Sequence, residues 1–223
     1  MFSSNSSSLC KKNGGRFKRV RRVTKRQPAP EVYDIKCECL DVLEDLSRRD
    51  AIDIYYGDEA GVSLYPTIPY AWQFPDEEVV LPSERGGRLN CFALLSRDND
   101  CFFRTNEEKV DAAWIADQIT EFSLTLRRTT VLVLDNASVH VKAFKDHFSL
   151  WEERGLFIFF LPPYSPHLNI VEILWKKVKY EWLQVKDYAD KNTLHEAVRY
   201  ILSEVGKSLC IAFQPFKKSL TQF

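Results

Sequence analysis

Two short apolar runs, each closed by residues that do not continue a strand, constrain this chain more than any other feature. VLVL (131–134) is stopped by Asp135–Asn136, and LFIFF (156–160) is stopped by Pro162–Pro163. Runs this short, rich in β-branched and aromatic residues and bounded by turn formers, read as buried strands. Asp135 then sits at a strand's C-terminal end, where open α/β sheets place their chemistry. After Pro166 the pattern changes to helical, with Val171, Leu174, Trp175, Val178 and Trp182 forming one apolar stripe. Glu172 falls in the first turn of that helix, about 100° around from Val171. Two acids on neighbouring rigid elements make a candidate metal site.

The remaining pattern supplies more strands and helices. AIDIYY (51–56) alternates as a strand with Ile52, Ile54 and Tyr56 on one face, which puts Asp58 on that same face just past the strand end. A turn is expected at Gly57–Gly61. Strands at about 89–95 and 101–105 are joined by Asp98–Asn99–Asp100 as a hairpin connection. Helices are expected at 31–49 (Ile35, Cys39, Val42, Leu43 and Leu46 as its stripe), 108–125, 138–154 (Val141, Phe144, Phe148, Trp151) and 193–206. Three strands, a helix, then strand, helix, strand, helix predict an α/β fold with a mixed sheet flanked by helices.

Charge is distributed unevenly. Residues 1–30 hold nine of the 31 Lys/Arg and no acid, leaving 22 basic against 31 acidic side chains in the remainder, a net −9. The nine lie in KKNGGRFKRVRRVTKR (11–26), and such a basic arm on an acidic domain commonly contacts nucleic acid. Arg16, Lys18, Arg19, Arg21, Arg22, Lys25 and Arg26 are the candidate phosphate contacts, with a solubilising or localisation tail as the plainer reading. Pro28–Ala29–Pro30 follows as a stiff linker. Six scattered cysteines include one C-x-C pair (Cys37, Cys39) without a second pair at zinc spacing, so reduced thiols are expected. No apolar run approaches the roughly 18 residues that span a bilayer. A cytoplasmic protein without membrane contact is expected.

Each acid has an ordinary explanation. Asn169-x-x-Glu172 fits a helix capping box, Glu172 and Lys176 fit an i,i+4 pair, Asp135–Asn136 fits a turn or helix cap, and Asp58–Glu59 fits a polar loop. Against this, all three acids fall at the ends or starts of elements expected to neighbour one another. Two carboxylates about 4 Å apart repel by about 4 kcal/mol at an effective dielectric near 20. Converging acids therefore need compensation, which a hard divalent cation with oxygen ligands supplies. A pair of such ions suits phosphodiester cleavage. The metal logic and the basic arm then name one substrate, DNA.

At these residues the chain resembles the DDE transposases of the mariner-like superfamily, most closely the insertion-sequence-630 type. The resemblance rests on YYGDEAG (55–61), VLVLDNASVH (131–140) and LPPYSPHLNIVEILWKKVK (161–179), and it covers about 31–185. It implies a ribonuclease-H-like fold, with Asp58, Asp135 and Glu172 as catalytic metal ligands for Mg²⁺ or Mn²⁺ in a two-ion arrangement. It also selects Asp58 over Glu59, which the residues alone leave open. The implied activity is DNA cleavage at element ends followed by strand transfer into target DNA. A homodimer and a nucleoid-associated location in a bacterial cytoplasm go with it.

The chain departs from the pattern at two places. A proline usually follows the Asn of the last motif, and here that position is Ile170, so helix initiation must rest on Pro166 and Asn169. The N-terminal helix-turn-helix region that would recognise element ends is largely missing, and the stretch 11–26 resembles its tail. A separate recognition chain could supply that role, and a truncated, catalytically inactive DNA-binding remnant is the competing reading. The expected organisation is a basic arm (1–30), a linker helix (31–50), a catalytic domain (51–190) and a C-terminal helical extension (191–223).

Asn136 and His140 are candidates for active-site support; for His140 a structural hydrogen bond at a helix start is an equal alternative. Lys176 and Lys179 are candidate DNA contacts near Glu172, with a solvated helix face as the alternative. Tyr164 is read as a packing residue with stacking on a base as the alternative, Trp175 as a packing residue, Arg85 and Arg88 as weak DNA candidates, and His167 and His195 receive no role. Replacing Arg19, Arg21 and Arg22 with alanine should weaken DNA binding and flatten its dependence on salt. An unchanged slope in a binding titration across KCl concentrations would exclude phosphate contact by the arm.

Overall fold

Five strands form one mixed sheet in the order β3-β2-β1-β4-β5. They are β1 (Asp53–Val62), β2 (Leu89–Leu95), β3 (Cys101–Asn106), β4 (Thr130–Leu134) and β5 (Leu156–Phe160). The first three pair antiparallel, and β1, β4 and β5 run parallel. The structure is a computed structural model that describes residues 29–65, 75 and 87–216. The basic stretch 11–26 and Arg85 lie outside the described residues.

Parallel pairing requires crossovers, and helices supply them. Helix α1 (Pro30–Arg48) precedes the sheet, α2 (Ala112–Ser123) connects β3 to β4, and α3 (Ser138–Glu153) connects β4 to β5. Helix α4 (Val171–Lys177) and α5 (Lys191–Ser203) follow the sheet. The two faces of each central strand bury separate cores. Ile54, Tyr56, Val131 and Val133 pack with Tyr33 of α1, Leu174 of α4 and Val198 of α5. Phe92, Leu94, Leu132 and Leu134 pack with Ile115 of α2 and Trp151 of α3. The expected element order is therefore the observed one, and β2 and β5 keep their expected bounds.

The structure corrects the sequence reading at several elements. Gly57–Gly61 is not a turn, because β1 runs through it to Val62. A Cβ added to Gly57 would lie 2.7 Å from a Leu134 methyl and 2.8 Å from a Leu94 methyl. The glycine serves close packing inside the strand rather than a reversal of the chain. Asp58 is consequently a mid-strand residue.

Helix α1 buries Tyr33, Cys37, Leu40 and Glu44, whereas Ile35, Cys39, Val42 and Leu46 are exposed. An acid in the buried seam hid that seam from an apolar count. The Tyr56 hydroxyl donates to Glu44, and Arg97 Nε lies 2.7 and 2.8 Å from its two carboxylate oxygens. Helix α2 starts at Ala112 rather than near 108, where the Asp111 carboxylate accepts the Trp114 N–H at 2.9 Å. In α3, Trp151 is buried as expected, but Phe148 is exposed and His140 and Ala143 occupy the buried face instead. Helix α5 begins and ends two to three residues earlier than expected, at Lys191 and Ser203, with the Asp190 carboxylate capping the Thr193 N–H.

The segment after Pro166 is not one uniform helix. A 3₁₀ turn (Pro166–Leu168) leads to α4, which widens into a π-helical turn at Val178–Trp182. Val171, Leu174, Trp175 and Val178 are buried as the stripe requires.

Because Gly57 lies against two buried leucines next to Asp58, Gly57→Ala should cost about 1–3 kcal/mol through overpacking. Urea unfolding measures this, and a midpoint equal to wild type would contradict it.

Candidate active site

Strand β1 is longer than its parallel neighbour. Its pairing with β4 covers Asp53–Tyr56 and puts Gly57 level with Leu134, so 58–62 projects beyond the C-terminal end of β4. Asp58 shares a strand face with Tyr56 and Ala60. Asp135 directly follows Leu134 at the end of β4. There the Leu161 N–H donates to the Leu134 carbonyl at 2.8 Å, and the Asn136 side-chain amide donates to the Leu161 carbonyl. Asn136 thus clips the β4 and β5 exits together, a supporting contact with no direct part in the acidic cluster.

The LPPYSPHLN turn then carries the chain to α4. Tyr164 is held at φ 58° and is exposed rather than packed, an uncommon conformation for a bulky residue. The Tyr33 hydroxyl lies 2.9 Å from His167 Nε2, joining α1 to this turn. Asn169 is buried and makes the decisive connection. Its side-chain oxygen accepts the Val171 N–H at 3.1 Å, and its Nδ2 donates to the Gly57 carbonyl at 2.9 Å. The start of α4 is therefore bonded to the residue preceding Asp58.

Ile170 has φ −68°, a value proline also adopts, and it is buried in the core. The loss of proline is met by Pro166 opening the 3₁₀ turn and Asn169 capping Val171. Glu172 itself neither caps the helix nor pairs with Lys176 among the described residues, so both ordinary explanations for it fail.

The three acids come together electrostatically. Burial first, then the neighbouring charges of Glu59, Glu172 and Asp135, push the Asp58 carboxyl up to about 7. Asp58 therefore holds a proton where an ordinary carboxylate has lost it. Burial would raise Asp135 as well, but hydrogen bonds from His140 and the Ala137 N–H hold it below its usual value.

His140 is the cation inside this cluster. Its side chain is fully buried, with Nδ1 2.7 Å from Asp135 Oδ1 and Nε2 2.9 Å from Glu59 Oε2. Burial alone would lower its pKa, yet the bonds to the two carboxylates raise it to about 10. Both roles weighed for His140 are thus one contact: a helix-start histidine bonded to an acid of the cluster. Glu59 is the residue that sequence reasoning missed. As Asp58's neighbour it faces the opposite side of the strand, and only the placement of α3 shows that a histidine 81 residues away meets it.

The donor set, carboxylates with no thiolate among them, suits a hard divalent ion. Among the described residues, no three His, Cys, Asp or Glu side chains are arranged to hold a metal ion as they stand. Asp135 and Glu59 are engaged with His140 instead. Lys176 is exposed and Lys179 half-buried. Trp175 is buried, as expected of a packing residue. His195 bonds the Gly87 carbonyl at 3.0 Å and Glu107 at 3.2 Å, away from the acids.

The model of the DDE superfamily endonuclease family matches residues 53–195, more than half of the chain and all five strands. The chain belongs to that family. No curated protein matches it. Among solved structures, the Mos1 mariner paired-end complex with Mn is 16% identical at a TM-score of 0.54, over 92% of this chain and 68% of that one. The Mos1 paired-end complex with Mg is 14% identical at a TM-score of 0.52, over 92% and 70%. The Mos1 complex with the left transposon end has the same identity and TM-score over 91% and 68%. At these identities the likeness establishes the fold, the ribonuclease-H-like mixed sheet expected from the sequence.

The Asp58 shift has a measurable consequence. The unfolded chain loses this proton near 3.8 and the folded chain near 7, so the folded state binds more protons in between. Metal-free stability should therefore fall as pH rises from about 4 to 7, by roughly 4 kcal/mol at most for this group. Asp58→Asn removes the titration, so its Tm advantage over wild type in chelator should grow from pH 4.5 to pH 7.5. Calorimetry showing a pH-independent difference would refute the assignment.

Proposed function

We propose that this chain is the catalytic domain of a mariner-like transposase of the insertion-sequence-630 type, cutting DNA at element ends and transferring the cut strand into target DNA. The observation that carries this reading is the placement of Asp58 on β1, Asp135 at the end of β4 and Glu172 in the first turn of α4, a helix tied to β1 by Asn169, near enough that the charges of Glu172 and Asp135 raise Asp58. Membership of an endonuclease family and the likeness to Mos1 complexes support it.

Asp58, Asp135 and Glu172 would hold Mg²⁺ or Mn²⁺, two ions in the full arrangement. Bound there, the metal would supply positive charge to the attacking and leaving oxygens of a phosphodiester. The chain's own contribution is positional. β1 and β4 fix the two aspartates on a rigid sheet, and Asn169 fixes the helix that carries Glu172 against β1. His140 holds the Asp135 carboxylate through Nδ1. The reaction would be two displacements: water attacks the scissile phosphorus and releases a 3′-hydroxyl, and that hydroxyl then attacks a target phosphodiester and expels its 3′ oxygen.

The proposed organisation is a basic arm over 1–30 with Arg16 to Arg26 on phosphate, a linker helix over 31–50, the catalytic domain over 51–190 and a helical extension over 191–223. DNA is the proposed partner, with a second copy of the chain in the assembly and a separate helix-turn-helix chain as a source of end recognition. Lys176 and Lys179 are proposed to approach the DNA backbone beside Glu172.

The test is nicking and strand transfer on DNA carrying the element's ends, with Mg²⁺ or Mn²⁺, for wild type, Asp135→Asn and Glu172→Gln. Wild type should cut only with the metal, and each substitution should lower the rate at least 10²-fold, in line with losing a principal stabiliser of the transition state. Equal activity in all three proteins would overturn the site, and inactivity of all three would favour the non-catalytic remnant.

A further inference from the structure

Beyond the acids, the projecting end of β1 carries a second feature. An open groove of about 440 Å³ lies along it, and its lining includes Glu59, Gly61, Arg88, Asn90 and Lys109. The Arg88 guanidinium lies directly over Gly61. A Cβ added there would come within 2.3 Å of Nε, 2.6 Å of Cζ and 2.6 Å of Nη2. A side chain there would displace the guanidinium from this position.

The guanidinium is also fixed at one end. Arg88 Nε donates to Asn90 Oδ1 at 2.8 Å, and Asn90 Nδ2 donates in turn to the Glu108 carbonyl at 2.8 Å. This chain leaves both Nη groups of Arg88 without a hydrogen-bond partner among the described residues. Neither Arg88 nor Lys109 forms an ion pair among them. The carboxylate of the groove, Glu59, is already engaged by His140 at 2.9 Å. An anchored, uncompensated guanidinium beside a lysine at the mouth of a groove matches the oxygen pattern of a phosphate diester.

We propose that Arg88, seated on Gly61 and oriented by Asn90, forms a phosphate-binding subsite with Lys109 for the DNA strand that enters the active site. This rests on the reading of the chain as a DNA-cutting enzyme and adds a residue to it. Gly61 lies three residues beyond Asp58 on β1, roughly 10 Å at the rise of a strand. Gly61 shares the Glu59 face of β1, so the subsite borders the acids through the Glu59–His140–Asp135 contact. Its role is to set the register of the strand over the acids.

The experiment titrates the full chain with a fluorescent DNA duplex of arbitrary sequence over a series of KCl concentrations, following anisotropy. Wild type is compared with Arg88→Ala, Arg88→Lys, Lys109→Ala, Gly61→Ala and the double variant Gly61→Ala/Arg88→Ala. Arg88→Ala and Lys109→Ala should each lower the slope of log affinity against log salt by about one. Gly61→Ala, which keeps the arginine but takes its seat, should reproduce the affinity loss of Arg88→Ala, and the double variant should be no weaker than either single one. Arg88→Lys should keep the slope but bind more weakly, since it retains charge and loses the fork. Circular dichroism melts matching wild type confirm folding of these surface variants.

A wild-type slope in Arg88→Ala overturns the subsite. A wild-type affinity in Gly61→Ala overturns the seat and with it the proposal. Divalent-dependent nicking measured on the same wild-type preparation separates the two readings. Nicking with an Arg88-independent slope sinks the subsite alone. An Arg88-dependent slope without nicking keeps the subsite and sinks the transposase reading, and a wild type that binds no DNA overturns both.

Discussion

The hydrogen bond from Asn169 to the Gly57 carbonyl is the constraint on which the arrangement of the acids depends. Asp58 and Asp135 are placed by adjacent strands, whose spacing is set by the backbone ladder itself. Glu172 has no such guarantee, because it arrives after a proline-rich turn on a helix of only seven α-helical residues. A buried amide that closes its hydrogen bonds on the helix N-terminus and on β1 at once removes that freedom. Buried polar groups without partners are costly, so a change in the turn that separated Asn169 from Gly57 would expose the whole connection to that penalty. The Tyr33–His167 contact extends the same logic outward, holding the turn against α1.

Bringing acids together this way creates an electrostatic debt that the metal-free protein meets from within. His140 bridges Asp135 and Glu59, and Asp58 retains its proton to near neutral pH. The charge of the cluster is thus offset by one imidazolium and one proton, while strands and Asn169 fix its position. This explains how the residues fit a hard cation in donor chemistry while no three of them face a common point as they stand. Engaging a cation at these carboxylates would replace the proton on Asp58 and compete with His140 for Asp135. Metal affinity and pH are then coupled through the same side chains.

The pieces of the site that follow strand and helix periodicity were legible in the sequence. Asp135 at the end of a buried strand and Glu172 beside the stripe of Val171 and Leu174 stand where the pattern puts them, and Asp58 keeps its expected face although it lies within the strand rather than past its end. The illegible parts share a cause: they depend on contacts between segments distant in sequence. Gly57 reads as a turn because the leucines that forbid it a side chain lie on two other strands. The buried seam of α1 escapes an apolar count because Glu44 in it is met by Arg97 and Tyr56, which are not its neighbours in the chain. Glu59 reads as the lesser of two adjacent acids because its partner, His140, comes from α3. Each of these is a case in which tertiary structure overrides a local rule that is sound on average.

The overhang of β1 beyond β4 ties these observations together. Within the sheet a strand has a neighbour on each side and helices on both faces, leaving no room for a substrate. Past Gly57 the β4 partner is gone, while β2 continues alongside to Val62. The projecting half-strand therefore offers both its faces: Asp58 lies on the face of Tyr56 within the influence of Glu172 and Asp135, and Glu59 meets His140 on the other, with Gly61 under Arg88 two residues on. Negative charge concentrates at the end of β4 and the start of α4, and Arg88 and Lys109, without ion pairs among the described residues, lie beside the outer end of β1. A polyanion approaching that edge meets attraction at Arg88 and Lys109 and repulsion at the acids until a cation intervenes. The same strand would then both hold the backbone and make its cleavage conditional on metal.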